Sequence, residues 1–103
     1  MNQLVLSARI VQRDALRYTP AGLPVVDLRL AHESERFQEG QTRKLSLEVT
    51  ACALGELARD LVNTALGTAG NFTGFLVKHR NGRGVMLQIE SFSALPPDPT
   101  PPN

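Results

Sequence analysis

The sequence predicts an all-β domain in which five strands close into a small barrel, with one short helix between the third and fourth strands. Three observations carry this. Strand-length segments with alternating apolar and polar residues recur along the chain. One stretch only, residues 53–65, has apolar residues at helical spacing. A sheet of five strands in a chain of 103 residues cannot cover two open edges, and closure removes them.

The first strand runs over residues 4–11. Leu4, Leu6, Ala8 and Ile10 share one face, and Val5, Ser7, Arg9 and Val11 take the other. Residues 17–24 form a turn, in which Pro20 presets φ and Gly22 accepts a positive φ. The second strand covers 25–32, with Val26, Leu28 and Leu30 inward and Asp27, Arg29 and Ala31 outward. Residues 33–42 are polar, contain Gly40, and read as a loop. The third strand covers 43–52, where Leu45, Leu47 and Val49 alternate with Lys44, Ser46 and Glu48.

The helix over 53–65 presents Leu54, Leu57, Ala58, Leu61, Val62 and Ala65 on one side. Gly55 weakens it, and Gly67 and Gly70 end it. The fourth strand covers 71–78. Asn81-Gly82 signals a hairpin turn between Arg80 and Arg83. The last strand covers 85–92, with Val85, Leu87 and Ile89 on one face. This order matches the five-stranded Greek-key barrel known as the OB-fold. The folded domain is expected over residues 1–95. Residues 96–103 hold five of the seven prolines and read as a disordered tail, with a ligand for a proline-binding domain as the alternative.

Composition excludes several classes. Hydrophobic residues make up 42% and charged residues 20%, as in ordinary globular domains. A single cysteine, Cys52, rules out an intrachain disulfide and reads as a small buried hydrophobe. No apolar run reaches bilayer length. The N-terminus has no basic segment ahead of its apolar stretch, which already contains Arg9, so a signal peptide is not expected and the cytoplasm is.

His32 and His79 stand far apart, and neither neighbours Cys52, so no zinc-ligand spacing exists. Gly82-Arg83-Gly84 is a hairpin turn rather than a phosphate loop, and the carboxylates are scattered. Neither an enzyme nor a metal or other cofactor is expected.

The formal net charge is +1, but the distribution is uneven. No acid lies between Asp60 and Glu90, and that gap holds Lys78, Arg80 and Arg83 beside His79. The rest of the chain has eight bases against ten acids. A local cationic hairpin on a slightly acidic body is a weak footprint for a polyanion. A solvated hairpin tip is the plain alternative.

Residues 2–7, Asn-Gln-Leu-Val-Leu-Ser, followed by residues 16–25, Leu-Arg-Tyr-Thr-Pro-Ala-Gly-Leu-Pro-Val, resemble the opening of bacterial single-stranded DNA-binding proteins. Leu28-Arg29-Leu30-Ala31-His32, Thr73-Gly74-Phe75-Leu76 and the Asn81-Gly82 hairpin extend the likeness over residues 2–95. The chain has no long Gly/Gln-rich extension and stops in a Pro-rich stub. That favours the short branch of the superfamily, the primosomal replication protein N (PriB) family.

The resemblance implies a non-catalytic homodimer that binds single-stranded DNA in replication restart at forks on the nucleoid. The partners it implies are the restart helicase PriA, DnaT where present, and single-stranded DNA-binding protein. One departure stands out. The family often carries an outward aromatic on the third strand, where this chain has Ser46, and the chain has no tryptophan. Stacking on a ring is worth about 1–3 kcal/mol per base. Its loss implies weaker and more electrostatic DNA binding, and leaves a protein-interaction module with weak DNA affinity as a rival reading.

Single-strand binders combine a cationic groove with stacking platforms. Lys78, Arg80 and Arg83 are the first candidates, on the hairpin that flanks an OB-fold's ligand face. Arg17 and Tyr18 occupy the opposite jaw, where Tyr18 can instead pack on Pro20 or Pro24. Arg29 and Lys44 face outward and Arg43 opens the third strand, but Asp27 and Glu48 offer ordinary cross-strand partners. Phe37 can stack a base or fold back over the barrel mouth. Phe72, Phe75 and Phe92 read as core or interface. On the first strand, Val5, Ser7 and Arg9 can meet a second copy across a two-fold axis. A covered inner strand of a monomeric barrel is the alternative.

Overall fold

The computed structural model describes residues 1–96, so the tail expected over 96–103 lies outside the described residues except for Pro96. The elements are β1 (Leu4–Arg13), β2 (Arg17–Tyr18), β3 (Pro24–Gln38), β4 (Gln41–Leu54), α1 (Glu56–Val62), β5 (Ala69–Lys78) and β6 (Val85–Ala94). Neighbouring strands run in the order β1-β5-β6-β4-β3-β2, and β1 also pairs with β3. That last pairing joins the two ends of the sheet and closes the barrel of five long strands that the sequence predicts.

Closure depends on β1 serving two partners in turn. Leu4 to Arg9 pair antiparallel with β5, and Arg9 to Arg13 pair with β3. A register shift between Ile10 and Gln12 marks the bend between them. Bulges of this kind add local twist and let a strand turn a barrel corner. The other seam is the short parallel contact of Ala51 with Leu87 and Cys52 with Gln88.

The core follows the sequence pattern. Ala8, Ile10, Val26, Leu28, Leu30, Ala51, Ala53, Leu87 and Ile89 fill the interior. Ala58 and Leu61 of α1 plug one end. Phe72 is fully buried and packs its ring 4.7 Å from that of Phe92, with the planes tilted by 34°.

Most strands run one to two residues beyond the sequence reading, Arg17 and Tyr18 of the expected turn pair as a short strand with β3, and two differences are larger. The helix is seven residues long, because Ala53 and Leu54 remain in β4, paired with Val26 and Val25. Gly55 then turns the chain at φ 68°, a conformation glycine adopts without strain. The larger difference is at residues 33–42, expected as a loop. β3 and β4 instead continue as a hairpin to the pair Gln38–Gln41. Glu39 and Gly40 both have positive φ, as a two-residue type I′ turn requires. A glutamate at such a position is uncommon, and the usual Asn-Gly or Asp-Gly signal is missing. The hairpin projects as an arm, so Leu45 and Leu47 are exposed rather than core.

Gly74 sits at the register shift of β5 on β6, where an added Cβ would lie 2.0 Å from the Gln88 carbonyl oxygen. Backbone on backbone leaves no side chain to yield. Gly74→Ala is therefore expected to lower stability by about 1–3 kcal/mol, read from the urea midpoint.

Candidate nucleic-acid interface

Several of the candidate residues meet at one carboxylate. Asp27, on the outward face of β3, is the one buried charged side chain among the described residues. Its Oδ2 accepts from Arg17 Nε at 2.9 Å, and its Oδ1 lies 3.0 Å from Arg80 Nη2. Arg17 comes from β2 and Arg80 from the β5–β6 turn. The two jaws expected from the sequence thus lie side by side, joined through β3. A buried carboxylate needs such partners, since an isolated charge away from water is costly.

A small polar cleft of about 200 Å³ runs beside this contact. Its lining includes Asp14, Asp27, Arg29, Thr50, His79 and Arg80. Arg29 does not take Asp27 as its partner. It pairs with Glu48 at 3.3 Å, and both side chains are about half exposed, so the pair adds little stability.

The β5–β6 turn is tightly organised. His79 and Gly84 close it through a 3.0 Å backbone bond, and Gly82 N donates to His79 O at 2.9 Å. Asn81 Oδ1 accepts from Arg83 N at 2.7 Å, which holds the tip. Lys78 and Arg83 are exposed on this hairpin and form no ion pair among the described residues. Tyr18 is also exposed, next to Arg17.

The remaining candidates lie elsewhere. Phe37, 77% exposed, pairs with Thr42 near the arm tip, about 26 Å along β3 from Arg29. Lys44 stands opposite Glu35, and Arg43 opposite Arg36. Phe37 and Lys44 share the Asp27–Arg29 face by strand alternation, whereas Arg43 is on the other face. Arg29 and Lys44 are thus about 20 Å apart rather than neighbours. Between them this face carries Glu33, Glu35 and Glu48. The cations form a cluster at the barrel and a separate group on the arm, with an acidic stretch between.

On β1, Val5 and Ser7 are exposed, and β3 pairs with β1 only from Arg9 onward. Arg9 Nη1 donates to the Gly67 carbonyl at 2.6 Å, and Ser7 Oγ to Asn71 Oδ1 at 2.6 Å. His32 Nδ1 lies 2.6 Å from the Ser7 carbonyl, so it is the protonated nitrogen, and Nε2 faces Ser34 Oγ at 2.8 Å.

A family model described as "Another single-strand binding protein family" matches residues 2–91. The chain belongs to that family. Its relatives include the replication restart protein PriB of Bordetella pertussis, 49% identical over 80 residues, covering 78% of this chain and 75% of the relative. The PriB of Neisseria gonorrhoeae is 37% identical over 91 residues, covering 87% and 90%. The solved structure of PriB from Ralstonia solanacearum superposes with a TM-score of 0.83 at 29% identity, over 91% of this chain and 97% of that one. The single-stranded DNA-binding protein of Thermus aquaticus gives 0.77 at 25%, over 95% and 52%. The resemblance read from the sequence and the OB-fold barrel both hold for this member of the single-strand binding protein family.

Two features of the site escaped the sequence reading. The sequence offers Asp27 and Glu48 together as ordinary partners for Arg29 and Lys44, and nothing local marks Asp27 as the meeting point of residues 17 and 80. His79 is not among the binding candidates named from the sequence. It lines the cleft, and its Nδ1 accepts from Asn81 N at 3.2 Å.

Cys52 is half-buried beside Asp27 across the β3–β4 ladder. Burial pushes its thiol pKa up, the Asp27 carboxylate adds to this, and Arg17 partly opposes it. The thiolate is the reactive form. Alkylation by iodoacetamide at mildly alkaline pH is expected to be slower in the folded protein than for free cysteine, and to recover in urea.

Proposed function

We propose that this protein is a non-catalytic single-stranded DNA-binding accessory factor of replication restart, and that it engages DNA through the barrel-end cluster. The observation that carries this is the convergence of the Arg17–Tyr18 jaw and the Arg80 hairpin on one side of β3, with Lys78 and Arg83 unpaired beside them among the described residues. The relatives' names and the single-strand binding family support the biological setting. Lys78 and Arg83 provide the principal phosphate contacts, and Tyr18 offers a stacking face. Arg17, Arg29 and Arg80 already face carboxylates and contribute less. Phe37 and Lys44 form a second contact on the arm for a strand long enough to reach it, and Arg43, on the arm's other face, stands apart from it.

In this role the protein holds exposed single strands and bridges them to the restart helicase PriA. DnaT, where present, and single-stranded DNA-binding protein are its further partners, at replication forks in the cytoplasm. A second copy completes the particle by pairing at Val5, Ser7 and Arg9. The edge of β1 before Arg9, which has no strand partner on that side among the described residues, and the exposed Val5 support this.

The salt dependence of binding to a labelled oligonucleotide tests the electrostatic groove. Each phosphate contact contributes a slope of about −0.7 in log K against log salt on single strands. Replacing Lys78 and Arg83 with alanine is expected to flatten that slope by about 1.4 and to weaken binding roughly 25-fold at 0.1 M salt. An unchanged slope would remove the hairpin from the DNA surface.

The rival reading, a protein-interaction module with weak DNA affinity, is favoured by the acids Glu33, Glu35 and Glu48 on the outer face. It gains if the alanine variant binds DNA as before and still stimulates the helicase. Val5→Glu is expected to convert a sedimenting dimer to a folded monomer. A dimer unaffected by that charge would place the interface elsewhere.

A further inference from the structure

Asp27 combines three properties that no other acid among the described residues shares. It is buried, it lies on the face that carries Arg29, and it is held by arginines from two separate segments. Arg17 reaches it from β2 and Arg80 from the β5–β6 hairpin. The Arg80 contact bridges the hairpin to the outer wall and narrows the cleft that also contains Asp14 and Arg29. A phosphate approaching along this wall meets two guanidiniums whose charge is already opposed, and a second carboxylate at Asp14.

We propose that Asp27 is a latch on the single-strand surface. It pins the hairpin against β3 and withholds Arg17 and Arg80 from phosphate, so the resting protein binds with fewer cations than its sequence carries. This rests on the DNA-binding reading above and specifies how that surface is tuned. The two arginines have about half of their side-chain surface in water, so the latch is open to competition rather than sealed. A partner or a DNA strand that displaces Asp27 frees two cations together.

The test is an anisotropy titration of a fluorescein-labelled oligothymidylate with the full chain at several salt concentrations. One freed arginine that takes a phosphate steepens the slope by about 0.7, equivalent to about fivefold tighter binding at 0.1 M salt. Asp27→Asn, close to the native side chain in size, is expected to bind at least that much more tightly and with the steeper slope. Asp27→Asn combined with Arg80→Gln is expected to lose about half of the gain, and adding Arg17→Gln to remove the rest. Asp27→Glu keeps the charge and is expected to stay near the wild type.

A purely structural role for Asp27 would move thermal stability but would not steepen the slope. If Asp27→Asn does not fold, Asp27→Ser makes the same charge change in a smaller side chain. Wild-type binding with an unchanged or flatter slope in the charge-removed variant overturns the latch alone. Absence of binding by every variant at low salt overturns the DNA reading, and the latch with it.

Discussion

A sheet of five strands can bury its apolar face in so short a chain only if its two ends meet. Here they meet through β1, which leaves β5 at Arg9 and continues on β3. The offset between Ile10 and Gln12 supplies the bend. The rest of the architecture depends on this seam. It fixes β3 beside the start of the chain, brings Arg17 alongside Val25, and puts the β5–β6 turn over the wall that β3 and β4 share. The same seam leaves β1 before Arg9 without a strand partner on one side among the described residues, and that is the edge proposed for a second copy.

The electrostatics follow from that placement rather than from composition. A net charge of +1 says little about partners, because opposite charges can neutralise one another locally or lie far apart. In this chain they do both. Asp27 and Glu48 face three arginines from β2, β3 and the β5–β6 turn, Lys78 and Arg83 form no ion pair among the described residues, and three glutamates lie between the barrel cluster and the arm tip. On the proposed reading the interface is short and focused, with affinity set by how many cations face phosphate at once.

Much of the fold was legible because period-two alternation is a physical consequence of the pleat. Leu4 to Ile10 and Val26 to Leu30 face the interior as read. The arm was not legible, since residues 33–42 are polar on both faces and turn at Glu39-Gly40 without the usual signal. Leu45 and Leu47 alternate like core residues but belong to a hairpin beyond the core. The candidate cations could be named from the chain, but their grouping could not. Arg17 and Arg80 are 63 positions apart in sequence, and only closure brings them to one carboxylate.

On the proposed reading, single-stranded DNA lies on the wall between β2 and the β5–β6 hairpin. The most direct measurement is the change in backbone amide resonances when an oligonucleotide is added at low salt. The largest shifts are expected at residues 17–18, 27–29 and 78–84, with the first half of β1 little affected. Shifts confined to β1 or to α1, with the hairpin silent, would contradict it.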